Sequence, residues 1–423
     1  MRFATLDEWL QWQETLHPNK IDLGLERVRR VYRQLSVPAP ANKVVTVAGT
    51  NGKGSCIALL EALFRDAGFK VGSYTSPHLL RYNERIRING QAVSDQALFR
   101  AFAAIDLARQ EQTLTYFEFG TLAALSLFAQ SQLDLVLLEV GMGGRLDACN
   151  IIDADVSLIC SIALDHQAWL GETREAIAIE KAGIMRSARP AICADPDPPR
   201  TLLEQADRIG AKLHLQHQDF SLTRGEFGWQ WRDHEVAYPE LPLPELVTSA
   251  DVLNRAAVIK VAEILKGDLP FSLGNLHKAM ARISLPGRGE MLSKEPEVWV
   301  DVAHNPAAAA ALAERLRMLP AKKTHLVIGV LADKAIDDIL SALAAQVDYY
   351  YIAAPATARA MPPEALRDAL QAQVSSDQLS DFTSITAAYR SAVAQATPGE
   401  RIVVTGSFYT VAEIMAVHDG KRL

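Results

Sequence analysis

The chain lacks what several protein classes require. Its 423 residues include only four cysteines, Cys56, Cys149, Cys160 and Cys193, with no C-x-x-C pair and no dense spacing. A disulfide framework is thereby excluded, and reduced thiols in a cytoplasmic protein are expected. No apolar run approaches the ~20 residues of a membrane span. The opening stretch "MRFATLDEWLQWQETLHPNK" is a tryptophan-bearing helical pattern broken by acids, unlike a signal peptide. Positive charge is also scarce. Lys and Arg number 43 against 50 Asp and Glu, a net charge of −7, which argues against a nucleic-acid binder. It does not argue against a small anionic ligand, which local fields can hold. Internal repeats, heptads and low-complexity tracts are missing, as are a Ser-His-Asp order, zinc spacing and a paired-acid glycosidase pattern.

What is present is an ordinary globular composition, 49% apolar and 22% charged, long enough for two or three cores. The stretch "VVTVAGTNGKGSCIALLEALFRDAG" (44–68) reads as a buried β-branched strand, a glycine-rich loop and a helix ending before Gly68. "FKVGSYTS" is the next strand, and further strands are expected at 133–140, 156–162 and near 191–194. The helix "TREAIAIEKAGIM" lies between the last two. Alternation of this kind implies a parallel sheet covered on both faces. Aromatics, turn residues and prolines across 213–246 predict a small β excursion before the helix "SADVLNRAAVIKVAEIL". Proline and glycine in "ISLPGRGEML" mark a boundary. Beyond it a second strand-then-helix rhythm predicts a smaller α/β domain, so the domains are expected at 1–286 and 287–423, with a ligand cleft between them.

The loop "GTNGKGS" differs from the common phosphate loop. Its lysine, Lys53, precedes the second glycine of the G-x-x-x-x-G spacing, Gly54, rather than following it. Its glycines still allow close backbone approach, and the helix start favours anions. Lys53 adds a point charge and Ser55 a hydroxyl able to reach phosphate or magnesium. The strand before, the helix after and the Lys-Gly-Ser run together favour a phosphate loop over a plain glycine-rich turn.

Glu139 ends an unbroken apolar strand, where open α/β sheets place ligands. Its carboxylate suits magnesium, although a strand-end ion pair is the plainer alternative. His166 in "LDHQ" follows another strand end, but a lone histidine is a weak signal. Lys181 in "IAIEKAGI" reads by default as solvent-facing. Ser76 in "YTSPHLLRYNERIRING" begins a polar, basic run suited to a mobile loop over a ligand. "VDVAHNP" puts Asp301 and His304 at a strand's end, with Pro306 at the first turn of the next helix. "GMGG" lacks the third glycine of a dinucleotide fingerprint. These residues alone reach a magnesium-dependent nucleotide triphosphate enzyme with an interdomain site.

Taken together, "GTNGKGS", "TSPHL", "LTYFEFGT", "LEVGMGGRLDACN", "LDH…LG", "EKAGI", "LPGR" and "DVAHNP" closely resemble the bacterial dihydrofolate synthase/folylpolyglutamate synthase family of the Mur ligase superfamily. The motifs keep the family's order from "IDLGLERV" to "GSFYTV", and the unusual lysine spacing is the family's own. Met142, Cys149 and Val302 are small departures.

The resemblance implies an α/β, Mur-ligase-like fold: an N-terminal P-loop ATPase domain with a mainly parallel sheet, and a smaller C-terminal Rossmann-like domain. It implies a monomeric ligase that uses ATP and two magnesium ions to join L-glutamate to dihydropteroate and to reduced folates. Thr50, Asn51, Gly52, Lys53, Gly54 and Ser55 would hold the phosphates. Ser76, Glu139, His166 and a carbamylated Lys181 would serve the metals. Asn254, Arg288 and Asp301 would contact the nucleotide, and His304 would position glutamate. Ile21, Asp22 and Leu23, Thr115, Tyr116, Phe117 and Glu118, and Leu146, Asp147 and Ala148 would border the pteroate pocket. The rival readings are a Mur ligase acting on a UDP-sugar peptide and a P-loop ATPase switch; a nicotinamide oxidoreductase lacks its glycine fingerprint.

Overall fold

The computed structural model describes residues 2–225, 228–282, 285–371 and 374–420. Eight strands form the first sheet. In chain order they are β1 (Ala41–Ala48), β2 (Val71–Tyr74), β3 (Ile86–Ile88), β4 (Gln91–Ala92), β5 (Leu133–Glu139), β6 (Val156–Ile159), β7 (Pro190–Cys193) and β8 (Lys212–Leu215). Their spatial order is β4-β3-β2-β5-β1-β6-β7-β8. All neighbours from β2 to β8 pair parallel, while β3 and β4 close one edge as an antiparallel hairpin.

The strands read as apolar runs because helices cover both faces. Val45, Val47, Leu135 and Leu137 face the helices Lys53–Asp66 and Ser249–Leu265. Their alternates Val44, Val136 and Leu138 face Asp95–Arg109 and Tyr116–Ala129, as the two-residue period of a strand requires. The phosphate-loop helix ends at Asp66 with Ala67 as its C-cap, and Gly68 beyond it takes φ +95°.

Several expectations change in detail. The segment after Ser76 is not a loose loop in its second half. Ile86 and Ile88 give it strand alternation, and it pairs with β2 as β3. The β excursion is a three-stranded antiparallel sheet, β9 (Phe220–Arg224), β10 (Trp229–Asp233) and β11 (Ala237–Leu241). It therefore starts later than 213, since Lys212–Leu215 pairs parallel with β7 as the edge of the main sheet. Trp229 and Trp231 are buried beneath it, and Trp231 Nε1 donates to the Ala256 carbonyl at 2.9 Å. Residues 283 and 284 of the expected boundary lie outside the described residues.

The second sheet uses β12 (Arg288–Lys294), β13 (Glu297–Asp301), β14 (Thr324–Ile328), β15 (Tyr349–Ile352), β16 (Leu379–Asp381) and β17 (Arg401–Thr405). The order is β12-β13-β17-β14-β15-β16, parallel except for β12. The helix after β13 begins at Pro306 behind an Asn305 cap. The carboxyl ends of both sheets meet at the interface. Asn51 of the glycine loop and Asn305 exchange side-chain hydrogen bonds, each 3.0 Å.

Candidate active site

The glycine loop is shaped by its neighbours. Thr50 N donates to Ser161 O at 2.7 Å, and Asn51 N to Ser161 Oγ at 3.1 Å. Thr50 Oγ1 donates to Ala163 O and accepts from Ala163 N, both at 3.0 Å. Thr50 and Asn51 are therefore occupied in holding the loop. The helix's first backbone bond runs from Cys56 N to Gly52 O, which leaves the amides of Lys53, Gly54 and Ser55 at the open helix end. Gly52 has φ +89°, and a Cβ there would lie 2.4 Å from Asn254 Nδ2, so only glycine fits. Lys53 Nζ folds over the loop onto the Gly49 and Thr50 carbonyls, at 3.0 and 3.2 Å.

Two cavities flank this loop. The first, of about 530 Å³, is lined by Thr50 to Lys53, Ser76, Glu139, His166, Lys181, Arg288 and His304, among others. The second, of about 690 Å³, is lined by Asn51, Gly52, Ser55, Asn254, Arg288 and Asp301. Gly54 lies between them, facing a small cleft with Glu139, Ser76 and Arg288. The expected nucleotide, metal and glutamate residues thus come together around one loop. The proposed pteroate-pocket residues do not line these cavities. Asp22 pairs with Arg27 at 2.7 Å, and Arg27 reaches Glu118 at 3.1 Å. Ile21 and Leu23 flank Asp22 in the segment between the first two helices. Thr115 caps the helix Tyr116–Ala129 and shares a capping box with Glu118, while the Phe117 ring packs on Gly141. The Asp147 carboxylate accepts from Met142 N and Cys149 N, both at 3.0 Å. Leu146 is half-buried and Ala148 buried.

The first cavity is rich in cations. Lys53, Arg85, Lys181, Arg288, Lys334 and Arg359 line it against Glu139, Asp165 and Glu413, which suits polyanionic ligands. Glu139 is 3% exposed and accepts from Ser76 N at 3.2 Å. Burial raises its pKa, against the fields of Lys53, Arg288 and Arg85. Lys181 is 2% exposed, because its helix Arg174–Ala182 packs its face against the sheet. Burial, then the Lys53 charge, pushes its amine down to about 7. Burial lowers the His166 imidazole to about 4 despite Asp165, leaving it neutral and able to act as a ligand. His304 is fixed through Nδ1 to the Val302 carbonyl at 2.8 Å, and its Nε2 lies 3.6 Å from Asp165. Asp301 accepts from Arg315 Nη1 at 2.9 Å and from Ala303 N.

Sequence reasoning missed the group that ties the site together. Asp165 accepts from Lys334 Nζ at 2.6 Å, from Asn305 Nδ2 at 3.1 Å and from His166 N at 2.9 Å. Burial alone would raise this carboxyl, but His304, His166 and Lys334 carry it well below the usual range. Its signal was its place beside His166 in "LDH". Lys334, in "LADK", had no signal beyond an ordinary loop lysine.

Among the described residues no three His, Cys, Asp or Glu side chains gather into a ready-made metal cage. The donors that are present, the Glu139 carboxylate and the Ser76 hydroxyl with neutral His166 nearby, fit a magnesium ion that keeps waters and takes phosphate oxygens as its remaining ligands.

Comparison with known proteins agrees with this architecture. Residues 287–408 match the Mur ligase, glutamate ligase domain. The dihydrofolate synthase/folylpolyglutamate synthase of Escherichia coli K12 is 44% identical, covering 99% of this chain and 97% of the relative. The folylpolyglutamate synthase of Lacticaseibacillus casei is 32% identical over 92% of each chain. The solved structure of E. coli FolC in complex with DHPP and ADP superposes with a TM-score of 0.92, at 44% identity over 99% and 98% of the two chains. A bifunctional folylpolyglutamate synthase/dihydrofolate synthase with Mn, AMPPNP and L-glutamate bound gives 0.90, at 42% identity over 98% of each. With its glycine loop, buried lysine and two facing sheets, the chain belongs to the dihydrofolate synthase/folylpolyglutamate synthase family.

Proposed function

We propose that the chain is an ATP-dependent ligase that joins L-glutamate to dihydropteroate and to reduced folates through an acyl phosphate. The observation that carries this reading is the pair of cavities on either side of one phosphate loop, in a chain of this family. An amide does not form from a carboxylate and an amine in water without activation. Phosphorylating the carboxylate supplies that activation, and glutamate's amine then displaces phosphate.

In this reading Thr50 and Asn51 shape the loop, while the amides of Gly52 to Ser55 and the Lys53 ammonium receive the phosphates. Asn254, Arg288 and Asp301 hold the nucleotide in the larger cavity. Ser76, Glu139 and His166 hold magnesium, which when bound neutralises charge on the transferring phosphoryl group. Lys181 carries a carbamate, because a buried amine near Lys53 is neutral enough to react with carbon dioxide. The carbamate then offers oxygen donors for a second ion. His304, fixed by the Val302 carbonyl, orients glutamate. Ile21 to Leu23, Thr115 to Glu118 and Leu146 to Ala148 border the pteroate end. Residues 1–286 act as the domain for ATP and pteroate, and 287–423 as the domain that brings glutamate into line. Holding reactants this way is worth roughly 7–11 kcal/mol for well-oriented groups. In this reading the enzyme is a cytoplasmic monomer.

The test is the co-substrate dependence of ADP release. The ligase reading expects ADP only when glutamate and a pteroate or folate acceptor are both supplied. ADP release without either co-substrate would favour an ATPase switch, and dependence on a UDP-muramoyl acceptor would favour a peptidoglycan ligase.

A further inference from the structure

Among the described residues Arg85 is a buried cation without a direct ion pair, although its field reaches the Glu139 carboxylate in the same cavity. Arg85 is 8% exposed, carried at the end of the short helical turn that leads into the β3–β4 hairpin. Its Nε donates to His78 Nδ1 at 2.8 Å, and its guanidinium lies 5.4 and 5.5 Å from the Tyr82 and Tyr116 ring centroids. His78 must be neutral to accept that bond. Burial, then the Arg85 charge, lowers its pKa to about 3. Neutral or protonated, an imidazole carries no negative charge, so His78 offers no counter-charge. Among the described residues no Asp or Glu comes within ion-pair distance of Arg85, and its two Nη groups make no hydrogen bond. The residue lines the first cavity together with Lys53 and Glu139. A guanidinium this buried is costly without an anion, and its planar fork matches a carboxylate. Its ring contacts set it against Tyr116, outside the cavity lining, while it faces the cavity that Lys53 and Glu139 share.

The two acceptors differ in just this respect. Dihydropteroate ends in one carboxylate, the one that reacts. A folate acceptor ends in a glutamyl unit with two, one reacting and one left over. Resting on the ligase reading above, we propose that Arg85 binds the non-reacting carboxylate of a folate acceptor, and so sets the balance between folate glutamylation and dihydrofolate synthesis.

The test uses the full-length chain with saturating ATP, magnesium and glutamate. kcat and KM are measured for dihydropteroate and for a reduced folate monoglutamate, in the wild type, Arg85→Gln and Arg85→Lys. Losing one charged hydrogen-bonding partner is expected to lower kcat/KM for the folate on the order of 10–100-fold more than for dihydropteroate, mainly through KM. Arg85→Lys, which keeps the charge without the fork, is expected to shift the ratio the same way by less. Equal losses for both acceptors, or a larger loss for dihydropteroate, overturn the proposal. If Arg85→Gln does not fold, an unchanged ratio in Arg85→Lys overturns it. Absence of both activities in the wild type would instead overturn the ligase reading.

Discussion

Lys181 is an amine held where an ammonium is disfavoured. Its depressed pKa gives a definite sign. Stability linked to the neutral amine is present above the unfolded value and is lost as pH falls toward the folded value of about 7, because between the two values the unfolded chain binds a proton that the folded chain does not. Carbamate formation needs the same neutral amine. Incubation with isotopically labelled bicarbonate is therefore expected to give a carbamate signal that fades below pH 7, with ligation declining in parallel. Lys181→Ala is expected to remove both. Full activity in Lys181→Ala would sink the carbamate. Glu139 has the opposite sign. Its raised pKa means that stability linked to its protonated form is greatest below the unfolded value and is lost as pH rises through the folded one. Glu139→Gln removes the buried charge, so an unchanged or slightly higher melting temperature is expected together with a near-complete loss of turnover. Wild-type ligation at low magnesium in that variant would contradict a metal role. Lys181 was the hardest of these to read from sequence. A helical lysine is solvent-facing by default, and only tertiary packing decides which face of Arg174–Ala182 is buried.

At the scale of elements, the loop after β6 does the joining. Asp165 extends from the first sheet to Lys334 and Asn305 of the second, and both charged side chains are almost fully buried, at 8% and 3% exposed. Removing one partner of such a pair strands the other, at a cost of about 3–5 kcal/mol. Asp165→Asn is expected to lower the melting temperature and weaken closure of the two sheets. Adding Lys334→Met should recover part of that loss, because the stranded ammonium is then gone. A double variant whose losses simply add would show that the pair is not coupled.

This contact also marks where sequence reading stopped. The phosphate loop, the strand ending in Glu139 and the Asn305–Pro306 helix start were legible, since local spacing and turn chemistry determine each. Asp165 and Lys334 were not, because the contacts that matter join residues far apart in sequence; Arg85 was not, because a basic run does not show which of its arginines folding buries. The hairpin of β3 and β4 was read as a loop because two short strands of mixed polarity carry little periodicity before they pair.

At the scale of the whole molecule, the two sheets present their carboxyl ends to one another, with a cavity on each side of the phosphate loop. In the ligase reading, ATP activates the acceptor's carboxylate before glutamate arrives. In that chemistry one carboxylate oxygen leaves with phosphate. The direct measurement uses dihydropteroate labelled with heavy oxygen in its carboxylate, one turnover with ATP and glutamate, and mass analysis of the inorganic phosphate. One labelled oxygen is expected in each phosphate formed alongside dihydrofolate. Dihydrofolate accompanied by wholly unlabelled phosphate would contradict it.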